Sequence, residues 1–394
     1  MIYKILTHHS HPQGKIFAYL ALIFSLGICL VNPVFPGFAK TVLENEESIS
    51  FLYVGIGIAS LFTAILSSYL FRKFHRTTIA KTSLLFLAFI SIALIFVTQS
   101  HSLLALAILR ICFDVIVLIT LGVFVRDFAK SKNLGKEEGL YYRYNNTGIL
   151  IGVLLGGFLA SNFGFELVFI LSATAFLYAY FYLQNEHILE NNPAIINKKT
   201  PEKIKILQNI KEFFKNKERA KAYVLTIGQI IWAGFKYLYI PLYVLRSGYV
   251  ASMAGLILAL EMLPMIFLEI KAGEYADKHG IKKLMAYGFL FIAALFIMVF
   301  FSPWPLVNFA LLSLGGFGIA MIEPLEKSHL FKHLPKENED SLYSIYMTAH
   351  PIGYLLAPLM GAGVLLLLPF NFLFLVFGLI MALMGAFAWL TLRD

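Results

Sequence analysis

Charge is what this chain has least of. Asp, Glu, Lys and Arg make up 14% of its 394 residues, against 59% hydrophobic, too little polar surface to solvate a soluble chain of that length. Cysteine is scarce too. Cys29 and Cys112 each lie inside an apolar segment, which excludes a readable disulfide framework or cysteine metal site. No G-x-x-x-x-G-K-[ST] loop occurs, so a gradient rather than ATP is the energy source to expect. A polytopic membrane enzyme would need carboxylates, histidines or metal ligands gathered at one membrane face, and no such set is readable. His8, His9 and His11 look metal-like but read as a solvated tail.

Long apolar runs are what the chain does have, with a mean hydropathy of +0.76. Stretches of about twenty apolar residues, the length that crosses a bilayer core, fall near 16–38, 50–71, 79–98, 103–125, 146–162, 165–183, 222–245, 250–270, 284–302, 305–325, 342–368 and 370–391. That predicts an all-α polytopic membrane protein with twelve spans. No small-residue cleavage site follows the first stretch, which reads as a retained helix.

The basic residues orient this plan. Of 32 lysines and arginines, only Lys40 and Arg246 fall in external segments, and only Arg110 and Lys236 lie deep within spans, if both termini are cytoplasmic. So lopsided a distribution predicts cytoplasmic termini in an inner membrane, and it makes the net charge of +9 a topology signal rather than a nucleic-acid footprint. Residues 185–219 carry seven lysines. Their second half has helical spacing with an apolar face and reads as an amphipathic helix on the cytoplasmic interface. The linker divides the chain into bundles at 1–184 and 220–394.

The bundles read as repeats. Adding 205 to the numbering carries Pro36 onto Pro241, Ser68 onto Gly273, and Gly148, Gly152 and Gly156 onto Gly353, Ala357 and Gly361. In the second copy, residues 273–283 read G-x-x-x-D-K-x-G-x-K-K. Gly273 allows a close helix approach, Asp277 can accept from backbone N–H groups at a helix start, and Gly280 supplies a positive φ. Lys282 and Lys283 mark re-entry into the bilayer.

This stretch, in this place, resembles the loop signature of the major facilitator superfamily of secondary transporters, and the resemblance runs from about residue 16 to 392. It implies two pseudo-symmetric six-helix bundles with the substrate site at the midplane between them. The first copy departs from the family pattern, with Arg72 in place of the aspartate and His75 in place of the second glycine, so the family's gate latch either works differently here or falls more on Asp277. Gly148, Gly152, Gly156 and Gly157 have small-xxx-small spacing for helix packing. They also resemble the glycine motif of the drug:proton antiporter branch, with Val153 replacing its proline. Asn32, Pro33 and Pro36 are similar to the proline pair of that branch, without the aspartate it often has in this helix.

Polar residues inside spans are the candidate site, because intramembrane charge is costly. Arg110 and Asp114, four residues apart on one helix face, are expected to pair. Lys236 shares a face with Gln229 and Trp232, at a depth of roughly 13 Å, as a cavity wall. Glu261 has no charged neighbour within four positions. That makes it the better proton carrier unless a midplane partner such as Lys236 reverses the assignment, with Asp114 the other candidate. His350 lies on a small-residue face and reads as a helix–helix hydrogen bonder or a cavity residue. The expectation is a secondary transporter and not an enzyme, without cofactor or metal. Its partners would be protons, a small-molecule substrate and the bilayer, and its working unit a monomer. Proton-driven efflux of amphipathic compounds is preferred; the alternative is proton-coupled uptake of a small organic anion clamped by Arg110 and Lys236.

Overall fold

The computed structural model describes residues 14–128, 134–185, 206–335 and 339–392. The histidine tail, residues 186–205 of the linker, and the side chains of Ser68, Arg72 and Asp277 lie outside what is described. Among the described residues every regular element is a helix. The first span is shared by α1 (Gly14–Val31) and α2 (Phe35–Leu43). The next five are α3 (Glu46–Lys73), α4 (Arg76–Leu94), α5 (Ser100–Phe128), α6 (Leu134–Phe163) and α7 (Phe165–Asn185). After α8 (Ile206–Lys215), the second half runs through α9 (Lys217–Arg246), α10 (Ala251–His279) and α11 (Lys282–Phe301). It continues with α12 (Pro305–Ser313) and α13 (Gly315–Lys332), then α14 (Glu339–Tyr346) and α15 (Ala349–Leu367), and ends on α16 (Phe372–Thr391).

Among the described residues, eleven segments are long and apolar enough to cross a membrane. The remaining expected span is α9, whose 30 residues include Gln229, Lys236 and four tyrosines. Three spans expected to be continuous are broken. Pro33 and Pro36 lack the N–H that would carry α1 into α2. The tenth span steps at Leu314, before a Gly-Gly pair, and the eleventh turns at Met347 and Thr348.

The polar stretch 273–283 also differs from the expected hairpin. Helix α10 continues to His279, and the chain turns only at Gly280, whose φ is 82°, and Ile281. Asp277 therefore sits in a last helical turn, not at a helix start. Gly273 meets no neighbour, since a Cβ added there would find no atom within 4 Å.

The amphipathic α8 is not simply laid on the interface. Phe213 is fully buried in a cluster with Tyr223, Leu330, Leu342 and Tyr346. Arg219 fastens the helix end, donating to the Glu212 carbonyl at 2.8 Å beneath the Phe213 ring. Leu207, Ile210 and Phe214 stay exposed. At the start of α9, burial pushes the Glu218 carboxyl up. The hydrogen bond and charge of Lys221, with His329 and His333 beyond, outweigh that and leave it below its ordinary value.

The repeat is visible in the packing. In lipid the hydrophobic effect does not drive helices together, so close backbone approach carries much of the association. Helix α6 lies on α1 through Gly148, where a Cβ would overlap the Leu22 carbonyl, and through Gly152 and Gly156, where it would meet Leu26 to Leu30. Shifted by 205, Gly353 of α15 meets the Ile227 carbonyl of α9, and Ala357 meets Gly234. Each half thus has a sealed seam between its first and fifth spans.

The halves meet along α3 with α15, α6 with α10, and α2 with α9. Outer and inner ends are named here for the orientation expected from the charges. Gly157 abuts Ala251 and Gly255 across the α6–α10 seam, and Gly57 abuts the Leu355 backbone across the α3–α15 seam. Toward the outer end, Ser252 N donates to Ser161 Oγ at 2.7 Å and Ser50 Oγ lies 3.0 Å from Tyr239 Oη. Glu46 accepts from Lys40 at 2.9 Å and from Arg246 at 3.3 Å. These bonds close the outer end. The Arg246 contact is half exposed, so Glu46→Gln is expected to weaken closure by no more than about 1 kcal/mol. Single-molecule distance measurements across the outer ends would show at most a roughly fivefold shift toward opening, vanishing in high salt.

Candidate functional site

Among the described residues, the most buried charge pair joins α9 to α10. Lys236 Nζ lies 2.7 Å from Glu261 Oε2, and Trp232 Nε1 donates to Glu261 Oε1 at 3.0 Å. Both carboxylate oxygens are satisfied, and Glu261 has no exposed surface. Trp232 and Lys236 are one turn apart on α9, so a single helix face presents both donors. Glu261 is therefore not unpartnered: it has the midplane partner, Lys236, that the sequence left open as the alternative. Its partner comes from another helix, which spacing along one helix cannot show.

The pair is held by its surroundings. Trp232 packs edge-on against Phe296 at 5.2 Å and alongside Phe235, so it is a core side chain rather than an open cavity wall. The step between α12 and α13 makes room for it. A Cβ at Gly315 would overlap the Trp232 ring, and one at Gly316 would overlap the Glu261 carbonyl. Only glycines let α13 lie against the pair this closely. Pro264, one turn beyond Glu261, removes a backbone donor within α10. The ring of Tyr237 lies 5.1 Å from Lys236 Nζ.

The first half supplies a second group. Arg110, expected to pair with Asp114, instead donates from Nη2 to the Ile28 carbonyl at 3.4 Å. Its Nε has no hydrogen-bond partner among the described residues. Asp114 is near enough to interact electrostatically, as is Tyr53 of α3, but among the described residues no ion pair joins Arg110 to Asp114. Arg110 is turned to the α1 backbone, so sharing a helix face did not bring the two together. Asn32, at the end of α1, donates to Cys29 Sγ at 3.6 Å. Lys236, Tyr237 and Tyr354 of the second half lie within electrostatic reach of Cys29, and Tyr354 also of Asp114. The two groups therefore face one another across the boundary between the bundles.

The other candidates are placed as follows. Gln229 is buried one turn short of Trp232, its Oε1 without a partner among the described residues. His350 is half-buried with Nε2 likewise unpartnered. Lys282 lies 5.3 Å from the Trp389 ring. Gly157 belongs to the seam between the halves rather than to the α1–α6 contact. Sequence reading missed Glu326, fully buried on α13. It sits past the point where the tenth span was expected to end, which hid it among residues assigned to a loop.

A sequence model of the Major Facilitator Superfamily matches residues 17–268 and 225–394. The chain belongs to that superfamily. This superfamily member is 21% identical over 332 residues to an uncharacterized MFS-type transporter of Methanocaldococcus jannaschii, covering 83% of this chain and 84% of the relative. It is 24% identical to the multidrug resistance protein MdtG of Dickeya zeae, over 62% of this chain and 60% of that one. With a multidrug resistance efflux pump PmrA homolog of Lactococcus lactis it shares 25% identity over 55% and 54% of the two chains. Among solved structures, a peptide transporter POT superposes with a TM-score of 0.78 at 14% identity, covering 97% of this chain and 94% of that one. A D-xylose-proton symporter gives 0.76 at 15%, covering 100% and 98%. These likenesses show a shared fold. The superfamily member is a multi-span membrane transporter and not an enzyme.

Proposed function

We propose that the chain is a proton-coupled efflux transporter for small amphipathic compounds, working by alternating access between bundles 1–184 and 220–394 joined by the linker 185–219. The observation that carries this reading is the Lys236–Glu261 pair, a buried ion pair at the boundary where substrate would lie. A proton on Glu261 cancels its charge and releases Lys236. A cationic substrate competes for the same carboxylate, so proton and substrate alternate. Because Lys236 partners Glu261, Asp114, half-buried and not ion-paired to Arg110, is the readier proton carrier, and Glu261 takes its proton when Lys236 is drawn away. The names of the bacterial relatives support export, as do the glycines of α6. The protein works as a monomer in the inner membrane, with cytoplasmic termini and no cofactor beyond the proton gradient.

Purified protein in liposomes, with an imposed pH gradient and an internal pH dye, tests this. Lipophilic cations should evoke proton movement opposite to their own flux. If only small anions evoke a signal, with protons moving the same way, efflux is wrong. Uptake of an organic anion then follows, a reading that the unpartnered Arg110 Nε favours.

A further inference from the structure

Glu326 lies in the inner part of α13, away from the Lys236–Glu261 pair, with no exposed surface. Tyr346 of α14, also fully buried, approaches its Oε1 at 3.5 Å. The Tyr346 hydroxyl in turn receives a hydrogen bond from Thr226 of α9 at 2.8 Å. Oε2 has no partner among the described residues. The groups facing this carboxyl are therefore Thr226 from α9, Tyr346 from α14, and Glu323 and Lys327 from its own helix. Lys327 is shared with Glu323, at 3.6 Å.

An ionised carboxylate has room for about four hydrogen bonds. This one has a long one from Tyr346, with the Thr226 hydroxyl beside it, and among the described residues no cation in contact. A buried charge left that way costs several kcal/mol, and a proton on Oε2 removes the charge. Three residues on, His329 lies 3.2 Å from Glu218 at the start of α9, and His333 Nδ1 contacts the His329 carbonyl at 2.8 Å. Polar groups thus continue from Glu326 toward the inner end of the helix.

The site also touches a break in the fold. Tyr346 is the last residue of α14, and Thr348, within the turn, is 2.8 Å from the Tyr223 hydroxyl of α9. Helix α14 is therefore hinged to α15 and held against α9 and α13 partly through this carboxyl. We infer that Glu326 is a second proton-binding site, separate from the substrate pair, whose occupancy holds α14 docked at the inner end of the eleventh span. Loss of the proton leaves a charge that is relieved by solvation, so α14 must move away. The link from this site to transport rests on the proton-coupled reading above; the docking of α14 does not.

Hydrogen exchange of residues 339–348 in the full-length protein, corrected for intrinsic exchange, tests it across a pH series. In the wild type, exchange should rise by up to roughly tenfold per pH unit above a midpoint, because undocking releases one proton. Glu326→Gln, which stays neutral, should exchange slowly and without that rise. Tyr346→Phe should keep the rise and move its midpoint. Infrared difference spectra on a pH jump should show a protonated-carboxyl band that Glu326→Gln lacks. Identical pH profiles for wild type and Glu326→Gln would overturn the inference. A wild type that moves no protons in liposomes yet shows the pH-dependent exchange would overturn the efflux reading and leave this site standing.

Discussion

Replacing Lys236 by methionine should abolish substrate-evoked proton movement and lower the stability of the protein by about 3–5 kcal/mol, the usual cost of stranding one member of a buried ion pair. Glu261 would be left with only the Trp232 N–H as a donor, in a pocket with no exposed surface. Glu261→Gln should lose coupling too, stranding Lys236 instead. The informative variant is the double one. With Lys236→Met and Glu261→Gln together, no charge remains to be buried, and the amide oxygen can still accept from Trp232. Stability should return to within about 1 kcal/mol of wild type, because a buried pair is often worth no more than a well-packed neutral replacement. Transport should stay absent. Denaturation in detergent and the liposome assay read the two quantities separately. Pumping by the double variant against a pH gradient would remove the pair from the mechanism, and an unchanged stability for Lys236→Met would mean that water reaches the site.

The second large effect is expected at Gly255. A Cβ there would overlap the Val153 carbonyl of α6, and the Gly157 Cα lies 3.3 Å away. A leucine cannot fit while this seam is closed. Overpacking costs typically about 1–3 kcal/mol, so Gly255→Leu should lower the population of the outer-closed conformer roughly five- to hundredfold, since about 1.4 kcal/mol is a factor of ten. The bundles can satisfy the added side chain by parting, so the protein should stay folded while its transport rate falls at least as far. Spin labels at Asn162 and Val250, both exposed at the outer end, would report a longer distance. Gly363→Leu is the control, because no atom lies within 4 Å of its Cβ position. An unchanged label distance in Gly255→Leu, with transport intact, would show that the seam does not open during the cycle.

The scaffold was legible because its signals are long. Apolar runs of bilayer length placed the spans, and the 205-residue offset that aligned glycines in sequence aligns glycine contacts in space, Gly148 on Leu22 and Gly353 on Ile227. Breaks within spans were harder to read. Pro33 was visible, but nothing local marks the turn at Met347 and Thr348. Charged residues were found individually and their pairing only in part. Proximity along a helix suggested Arg110 with Asp114, which do not pair, while Lys236 with Glu261, left open as an alternative, spans two helices and 25 residues. Glu326 was missed because hydropathy fades before the helix does. Polar residues shorten the apparent span exactly where a buried carboxyl needs to be noticed.

The glycine seams bear on how motion can spread. In the first half, Gly148 and Gly156 of α6 bring its backbone directly against that of α1, while in the second Gly353 and Gly361 of α15 seat the Ile230 and Tyr239 side chains of α9. The thirty residues of α6 make a rod about 45 Å long. Pivoting it by about 10° at its outer contact carries the far end about 8 Å. The same stiffness that forbids bending turns a small slip between neighbouring glycines into an opening wide enough for a drug-sized molecule.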